Sequence, residues 1–344
     1  MTDTVLTGRP DAPTARLLLP ADASHEEWLA VRRSGIGGSD LAGILGLDKR
    51  RGPRRVYEEK LGFTEPENSY MRWGRRLEPV IAEEFSDETG LSTAMPPGTL
   101  VHIDHPWALA NVDRYVLRDG AVAGPLECKN KSEYLSGEWD GEEAPDGPAL
   151  QAHWYQAVGG WQDAWLAGLI GGNRLRIFHL PRNEELIEEL IAYAGAWYQR
   201  HIVEGFVPPV DGLESTKNLL ARLWDVKPEA VAEVEVDTAR DLRAQRAALK
   251  AEIKALEDQL TTVENTMRDT AKDAEIVRCG TATAWTWKAN GTFAAKRFRE
   301  EQPELAAQYT RTVEDIDTDA LKAAHPAVFT QYRARVLRVP AKEL

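Results

Sequence analysis

The sequence predicts an α/β protein with a mixed central sheet flanked by helices, and three observations carry that reading. Two pairs of short apolar strands are each split by turn residues: 107–117 from 121–130 at Arg118-Asp119-Gly120, and 165–171 from 174–180 at Gly171-Gly172-Asn173. Helical periodicity precedes, separates and follows the pairs, giving helix, helix, hairpin, helix, hairpin, helix as far as Pro208-Pro209. Beyond that point the pattern changes to a long helix and then to a small α+β unit.

In chain order, residues 1–23 are rich in Pro, Thr, Ala and Asp and read as a poorly ordered tail. Ser24 caps a helix over 25–33, with Glu27 completing a capping box. Gly35-Ile36-Gly37-Gly38-Ser39-Asp40 then feeds a second helix over 41–45. Such a turn can expose amide groups to an anion, or be a plain helix corner. Lys49-Arg50-Arg51-Gly52-Pro53-Arg54-Arg55 is the densest basic run, readable as a solvated loop or a phosphate contact. A short helix over 56–61 and a loop over 62–68 lead to a long helix over 69–89, where Met71, Trp73, Leu77, Val80, Ile81 and Phe85 fall at helical spacing. Glu78 sits inside that apolar stripe and needs a partner, either Arg75 or a metal. Residues 91–101 read as strand and loop, 132–148 as an acidic loop, 149–164 as a helix, and Asn183 or Glu184 opens a helix to His201.

Residues 24–209 thus form one domain and 210–236 a Pro, Asp and Gly-containing linker. The helix over 237–275 places Leu242, Leu249, Leu256 and Val263 at d positions and Ile253, Leu260 and Met267 at a positions, with Arg246 interrupting. A coiled coil and a single amphipathic helix packed on the body fit this pattern equally. In 276–344, a strand over 281–288 runs into Asn290-Gly291, a hairpin-turn signal, and helical pieces follow over 294–308 and 318–332.

At 344 residues and 43% hydrophobic content the chain can bury a large core. A net charge of −13 excludes a general nucleic-acid coat, so any such contact uses local basic patches. Two cysteines, Cys128 and Cys279, exclude a disulfide framework and a four-cysteine cluster. The start of the chain lacks an apolar signal core, and no apolar run of ~20 residues occurs, so a cytosolic protein with no membrane partner is expected.

The chemistry concentrates around 108–131. Alternation puts Glu127 and Lys129 on one face of their strand and Leu126 and Cys128 on the other. A tight hairpin brings Asp113 beside them. Two carboxylates and an ammonium at strand ends make a divalent-metal site with an auxiliary base, and hard oxygen ligands suit Mg²⁺. Glu-x-Lys triplets are common, however; Glu58-Glu59-Lys60 and Glu252-Ile253-Lys254 lie on charged helices, so the triplet alone leaves a surface ion pair open.

Trp28, Arg32, Gly35-Ile36-Gly37-Gly38-Ser39-Asp40, Trp73-Gly74-Arg75-Arg76-Leu77-Glu78-Pro79, Asp113, Glu127-Cys128-Lys129 and Gln151 occur in this order. Over about 24–205 the chain thereby resembles the YqaJ-like viral recombinase family, which includes the phage lambda exonuclease, within the PD-(D/E)xK nuclease superfamily. The resemblance implies a restriction-endonuclease-like core and a Mg²⁺-dependent exonuclease of phage-type recombination, acting on the 5′ strand of duplex DNA. It implies two metals, with Mn²⁺ able to substitute, held by Asp113, Glu127, Glu78 and the Cys128 carbonyl. It implies that Lys129 orients or deprotonates water, with its pKa lowered beside the cations, and that Gln151 supports the lysine. Arg32 and Ser39 match the family's 5′-phosphate positions. A single-strand annealing protein and a homo-oligomer are the further partners implied. Two departures stand out: the family's Gln-x-Gln reads Gln151-Ala152-His153, and Val112 replaces the superfamily's proline. A restriction-like or repair endonuclease and a non-catalytic DNA-end-binding protein are the competing readings.

Overall fold

The computed structural model describes residues 11–224, 227, 229–310 and 315–332, and the chain clusters into two compact units, Met1–Asp225 and Val226–Leu344. In the first unit the elements run β1 (Ala15–Pro20), α1 (His25–Arg33), β2 (Ile36–Gly37), α2 (Gly38–Ile44), α3 (Pro53–Lys60), α4 (Ser69–Thr89), β3 (Ser92–Ala94), β4 (Gly98–His102), β5 (Ala108–Ala110), β6 (Arg114–Arg118), β7 (Ala121–Lys131), α5 (Asp146–Gly159), β8 (Asp163–Ile170), β9 (Arg174–Pro181), α6 (Glu184–Trp197) and α7 (Glu214–Arg222). The α/β class and the mixed sheet are as expected. A five-stranded sheet has the order β3-β6-β7-β8-β9, with β7 and β8 parallel and the other neighbours antiparallel.

Local chemistry accounts for the element ends. Ser24 Oγ accepts from the Glu27 amide at 3.3 Å and Glu27 returns a bond to the Ser24 amide at 2.9 Å, closing the capping box of α1. Asn68 caps α4, and Gly90 ends it in the left-handed region. Asp119 and Gly120 both have positive φ, which a two-residue hairpin loop between right-twisted strands requires. On one face of the sheet, Ile81 and Phe85 of α4 pack on Val116, Leu126, Trp165 and Ala167. A second cluster joins Ile36, Leu41, Leu100, Tyr115, Trp154 and Val158, uniting α2 and α5 with both sheets.

Several boundaries differ from expectation. The tail reading fails for 15–20, because β1 pairs antiparallel with β4 in a second, four-stranded sheet of order β1-β4-β5-β2, and Ala12 and Ala15 are buried. Residues 1–10 of that tail lie outside the described residues. The stretch 107–117 is not one strand: β5 belongs to the four-stranded sheet and β6 to the five-stranded one, so Asn111-Val112-Asp113 is the crossing between sheets. The helix expected over 149–164 begins earlier and stops at Gly159, because Gly160 takes the left-handed cap and 163–170 is needed as β8. The linker reading of 210–236 fails for α7, which buries Thr216 and Leu219.

In the second unit, α8 (Val236–Ala271) is followed by β10 (Ile276–Cys279), β11 (Ala282–Thr286), α9 (Ala295–Glu301), α10 (Pro303–Gln308), α11 (Thr318–Ala324) and α12 (Pro326–Gln331). The hairpin turns at Gly280-Thr281, where Gly280 has φ +61°, and not at Asn290-Gly291. Pro303 and Pro326 break the two expected helical pieces by removing an amide donor from each. Residues 311–314 and 333–344 lie outside the described residues. Among the described residues no helix is long and apolar enough to cross a membrane.

Candidate active site

The crossing between the sheets builds the site. Asn111 is fixed by Trp28 Nε1 at 3.1 Å and by Thr99 Oγ1 at 2.7 Å, both donating to its Oδ1. Two residues on, Asp113 Oδ2 accepts from the Cys128 amide of β7 at 2.8 Å, and its carbonyl accepts from Arg114 at 2.6 Å. These bonds place the Asp113 carboxylate beside the buried Glu127, on the neighbouring strand. As alternation requires, Cys128 packs with Leu126 on the α4 side, while Lys129 and Glu127 pair on the other. Lys129 Nζ also donates to Gln151 Oε1 of α5 at 3.0 Å, and Gln151 Nε2 donates to the Tyr155 hydroxyl at 2.7 Å.

Asp113, Glu127, Lys129 and Gln151 are therefore brought together. Glu78 pairs with Arg114, and Arg75 pairs with Glu67. Among the described residues no three His, Cys, Asp or Glu side chains stand in a metal-holding geometry. The expected ligand set is thus not assembled with Glu78 in it. Two carboxylates completed by substrate phosphate and water remain a normal Mg²⁺ donor set, and the electrostatics fit a cation. Glu127 Oε2 is buried with no hydrogen-bond partner among the described residues. Burial, then Glu127 and Glu78, push the Asp113 carboxyl well above the usual carboxylate range. A dication would relieve both strains at once. For Lys129, burial pulls the pKa down, but Glu127 and Asp113 more than reverse this, leaving it raised. Among the chain's own groups it is an ammonium, so the lowered pKa expected of a base would have to come from metal.

Across the cavity, Arg32 Nη2 donates to Ser39 Oγ at 3.1 Å and its guanidinium lies 5.3 Å from the Trp28 ring centroid. Glu27 is taken by Ser24, and Asp40 by Arg51 and Lys60. Among the described residues Arg32 makes no ion pair with a carboxylate; its charge acts on the buried Asp40, and its side chain lines the cavity. That cavity, about 220 Å³, is lined by Arg32, Gly37, Gly38 and Ser39 together with Asp113 and Gln151. A second groove of about 390 Å³ reaches Asp113 and Glu78 from the β1 side. The basic run beside the glycine turn is not a phosphate surface at Arg51, Arg54 and Arg55. These side chains pair with Asp40, Glu58, Glu59 and Glu65, because α3 sets carboxylates one turn along from two of them.

Sequence reasoning missed Asn111 and Tyr155. Tyr155 was legible as the i+4 neighbour of Gln151 on a helix; Asn111 gave no local signal. His153, at the departed second Gln position, bonds Gln156 at 2.8 Å and does not line the cavity. Gly38 is the close-approach point: a Cβ there would lie 2.9 Å from Gln151 Cγ and 2.9 Å from Tyr155 Cε1. Gly38→Ala is expected to displace Gln151 from Lys129 and reduce hydrolysis by roughly 10-fold or more, by misplacing a positioning group. Hydrolysis within two-fold of wild type would show that the helices α2 and α5 adjust without disturbing Lys129.

The fold and this site define a class, and the comparisons name it. The profile of the YqaJ-like viral recombinase domain matches residues 27–162. Over 298 residues the chain is 30% identical to the uncharacterized protein YqaJ of Bacillus subtilis (strain 168), covering 83% of this chain and 90% of that protein. The chain belongs to the YqaJ-like viral recombinase family. Two structures of the alkaline exonuclease LHK-Exo from Laribacter hongkongensis, one in complex with dAMP, align with 58% of this chain and 100% of theirs, at 19% identity and TM-scores of 0.43 and 0.44. A phage related exonuclease from Haemophilus somnus 129PT aligns with 49% of this chain and 96% of its own, at 16% identity and a TM-score of 0.39.

Proposed function

We propose that this chain is a Mg²⁺-dependent DNA exonuclease of phage-type recombination. It digests the 5′-ended strand of duplex DNA in the cytosol and leaves 3′ single strands for an annealing partner. One observation carries the reading: a single cavity is lined by Arg32 and Ser39 together with Asp113, whose carboxylate stands beside Glu127, and Gln151, which holds Lys129. Asp113 and Glu127 would hold the metal, whose charge would polarise the scissile phosphate and acidify the attacking water. Lys129 and Gln151 hold that water and place it. The Lys129 ammonium also offsets charge developing on phosphate oxygens. Arg32 makes paired charge-assisted bonds to a terminal phosphate, and Ser39 adds a donor. Because α2 has only seven residues, its dipole adds little, and the pocket rests on those two side chains.

A terminal phosphate carries more charge than an internal diester, so the pocket favours phosphorylated ends. The experiment digests duplexes labelled at the 5′ or 3′ end, bearing 5′-phosphate or 5′-hydroxyl, with Mg²⁺ or EDTA. Wild type is expected to release 5′ label in Mg²⁺ only, faster from phosphorylated ends. Arg32→Ala is expected to lose about 10- to 150-fold in end binding, the value of roughly 1.5–3 kcal/mol for one charged hydrogen bond. If both proteins treat the two ends alike, the pocket is misplaced; internal cuts in closed circles would favour a restriction-like or repair endonuclease.

A further inference from the structure

We propose that α8 pairs with α8 of a second copy of this chain as an antiparallel two-stranded coiled coil. The helix is 36 residues long, about 54 Å at ~1.5 Å per residue. Its seam of Leu242, Leu249, Ile253, Leu256, Leu260 and Val263 is 55–61% exposed at every position. Near its C-terminal end, Trp285 Nε1 of β11 donates to the Met267 carbonyl at 3.2 Å, so the hairpin of the same unit packs against the last turns and leaves the seam before them open. An apolar stripe of this length on a polar helix, broken only at Arg246, is an association surface.

The charges flanking the seam select a second copy and its direction. At the e positions the first half of the helix carries Arg243 and Lys250, and the second half Glu257 and Glu264. Turned end for end, the two copies set Lys250 of one opposite Glu257 of the other, and Arg243 opposite Glu264, on both sides of the interface. Glu264 already accepts from Arg268 at 2.8 Å, and a carboxylate accommodates more than one donor. The core layers in that register are Ile253 with Leu256, Leu249 with Leu260, Leu242 with Met267, and Arg246 with Val263. Arg246 can lay its stem on the valine and carry its charge out of the layer. The parallel arrangement does the opposite: it buries Arg246 against Arg246 and opposes Glu252 to Glu257, with no attractive pair gained. The single polar interruption of the heptads therefore acts with the flanking charges to specify one orientation.

The test uses the full chain and does not depend on its being a nuclease. Sedimentation over a concentration series is expected to show wild type as pairs of chains, or as an even multiple of 38.3 kDa. Glu257→Lys and Lys250→Glu each place like charges face to face at two points and should weaken association by about ten-fold or more. The double variant K250E/E257K exchanges the signs and should restore it. Helix content by circular dichroism should be equal in all four proteins, because both side chains are exposed. Wild type sedimenting as a single chain throughout would overturn the proposal, as would tighter association in Glu257→Lys, which the parallel arrangement predicts, or a double variant no better than the singles.

Discussion

Asp113→Asn and Glu127→Gln are each expected to reduce hydrolysis of duplex DNA in Mg²⁺ by about 10³-fold, the scale of removing one preorganised charge from a transition state. Both keep the volume and the hydrogen-bond acceptors. In Asp113→Asn the new amide oxygen still accepts from the Cys128 amide, and in Glu127→Gln the side-chain carbonyl still meets Lys129. Asp113→Asn should also raise the melting temperature measured in EDTA, whereas Glu127→Gln takes the ion-pair partner from the buried Lys129 and should lower it. Asp113 is buried, and burial, Glu127 and Glu78 all disfavour its ionised form. Removing a charge from such a cluster relieves the folded chain while disabling the site, which is the usual opposition between stability and activity.

This pairing of signs is the discriminating feature. A structural carboxylate, as a non-catalytic end-binding protein would require, loses stability on neutralisation and leaves no activity to lose. Lys129→Met is a poorer probe, since it strands the buried Glu127 without its ion-pair partner and destabilises for that reason alone. Retained hydrolysis in Asp113→Asn, or a clear fall in its melting temperature, would remove Asp113 from the reacting centre.

What the sequence made legible follows from how local each cause was. The strand face of Glu127 and Lys129 is a matter of alternation and the capping box of α1 spans four residues, and both appear as read; the stripe of α4 holds for Leu77, Ile81 and Phe85, while Met71, Trp73 and Val80 are exposed. Asp113 was chosen correctly as a neighbour of Glu127, but its setting was not, because the apolar run through 107–117 is continuous and nothing in it marks a change of sheet. That change is enforced by Trp28, 83 residues away, and by Thr99 through Asn111. β1 was hidden in the same way, since it pairs with β4, about 80 residues further on. Glu78 was read as needing a partner, Arg75 or a metal; it pairs with Arg114 of β6, which no local spacing could indicate. Arg51 lies in a basic run readable as a solvated loop or a phosphate contact, and the fold instead supplies Asp40 and Glu59 to it.

Asp40→Asn is expected to destabilise the first unit by about 3–5 kcal/mol, the range for breaking one member of a buried ionic group. The Asp40 side chain is fully buried; Oδ1 accepts from Arg51 at 2.6 Å, and Oδ2 from Lys60 at 2.5 Å and from the Gly37 amide at 2.8 Å. An asparagine keeps the shape but takes the carboxylate from the buried Lys60 and leaves Arg51 to Glu59 alone. For a domain of this size that corresponds to a fall in melting temperature of roughly 6–20 °C. Asp40→Leu with Lys60→Met should recover part of the loss, because Lys60 is no longer stranded and Arg51 keeps Glu59, although the Gly37 amide loses its acceptor. Burial alone would raise the Asp40 pKa; Lys60, then Arg51 and Arg32, overcome it and hold the carboxyl well below the usual range. A depressed carboxyl contributes its stability above the unfolded value, near ~3.9, and loses it as pH falls toward the folded one. The gap between wild type and Asp40→Asn should therefore be full above about pH 5 and narrow steadily in acid. The same group reaches the phosphate pocket, since Lys60 also donates to the Arg32 carbonyl at 2.8 Å and Arg51 to the Ser39 carbonyl at 2.8 Å. Asp40→Asn should thus weaken the preference for phosphorylated ends at temperatures where it is still folded. A melting shift below about 2 °C, less than one kcal/mol in a unit of this size, would mean that water, not Asp40, compensates Lys60 and Arg51.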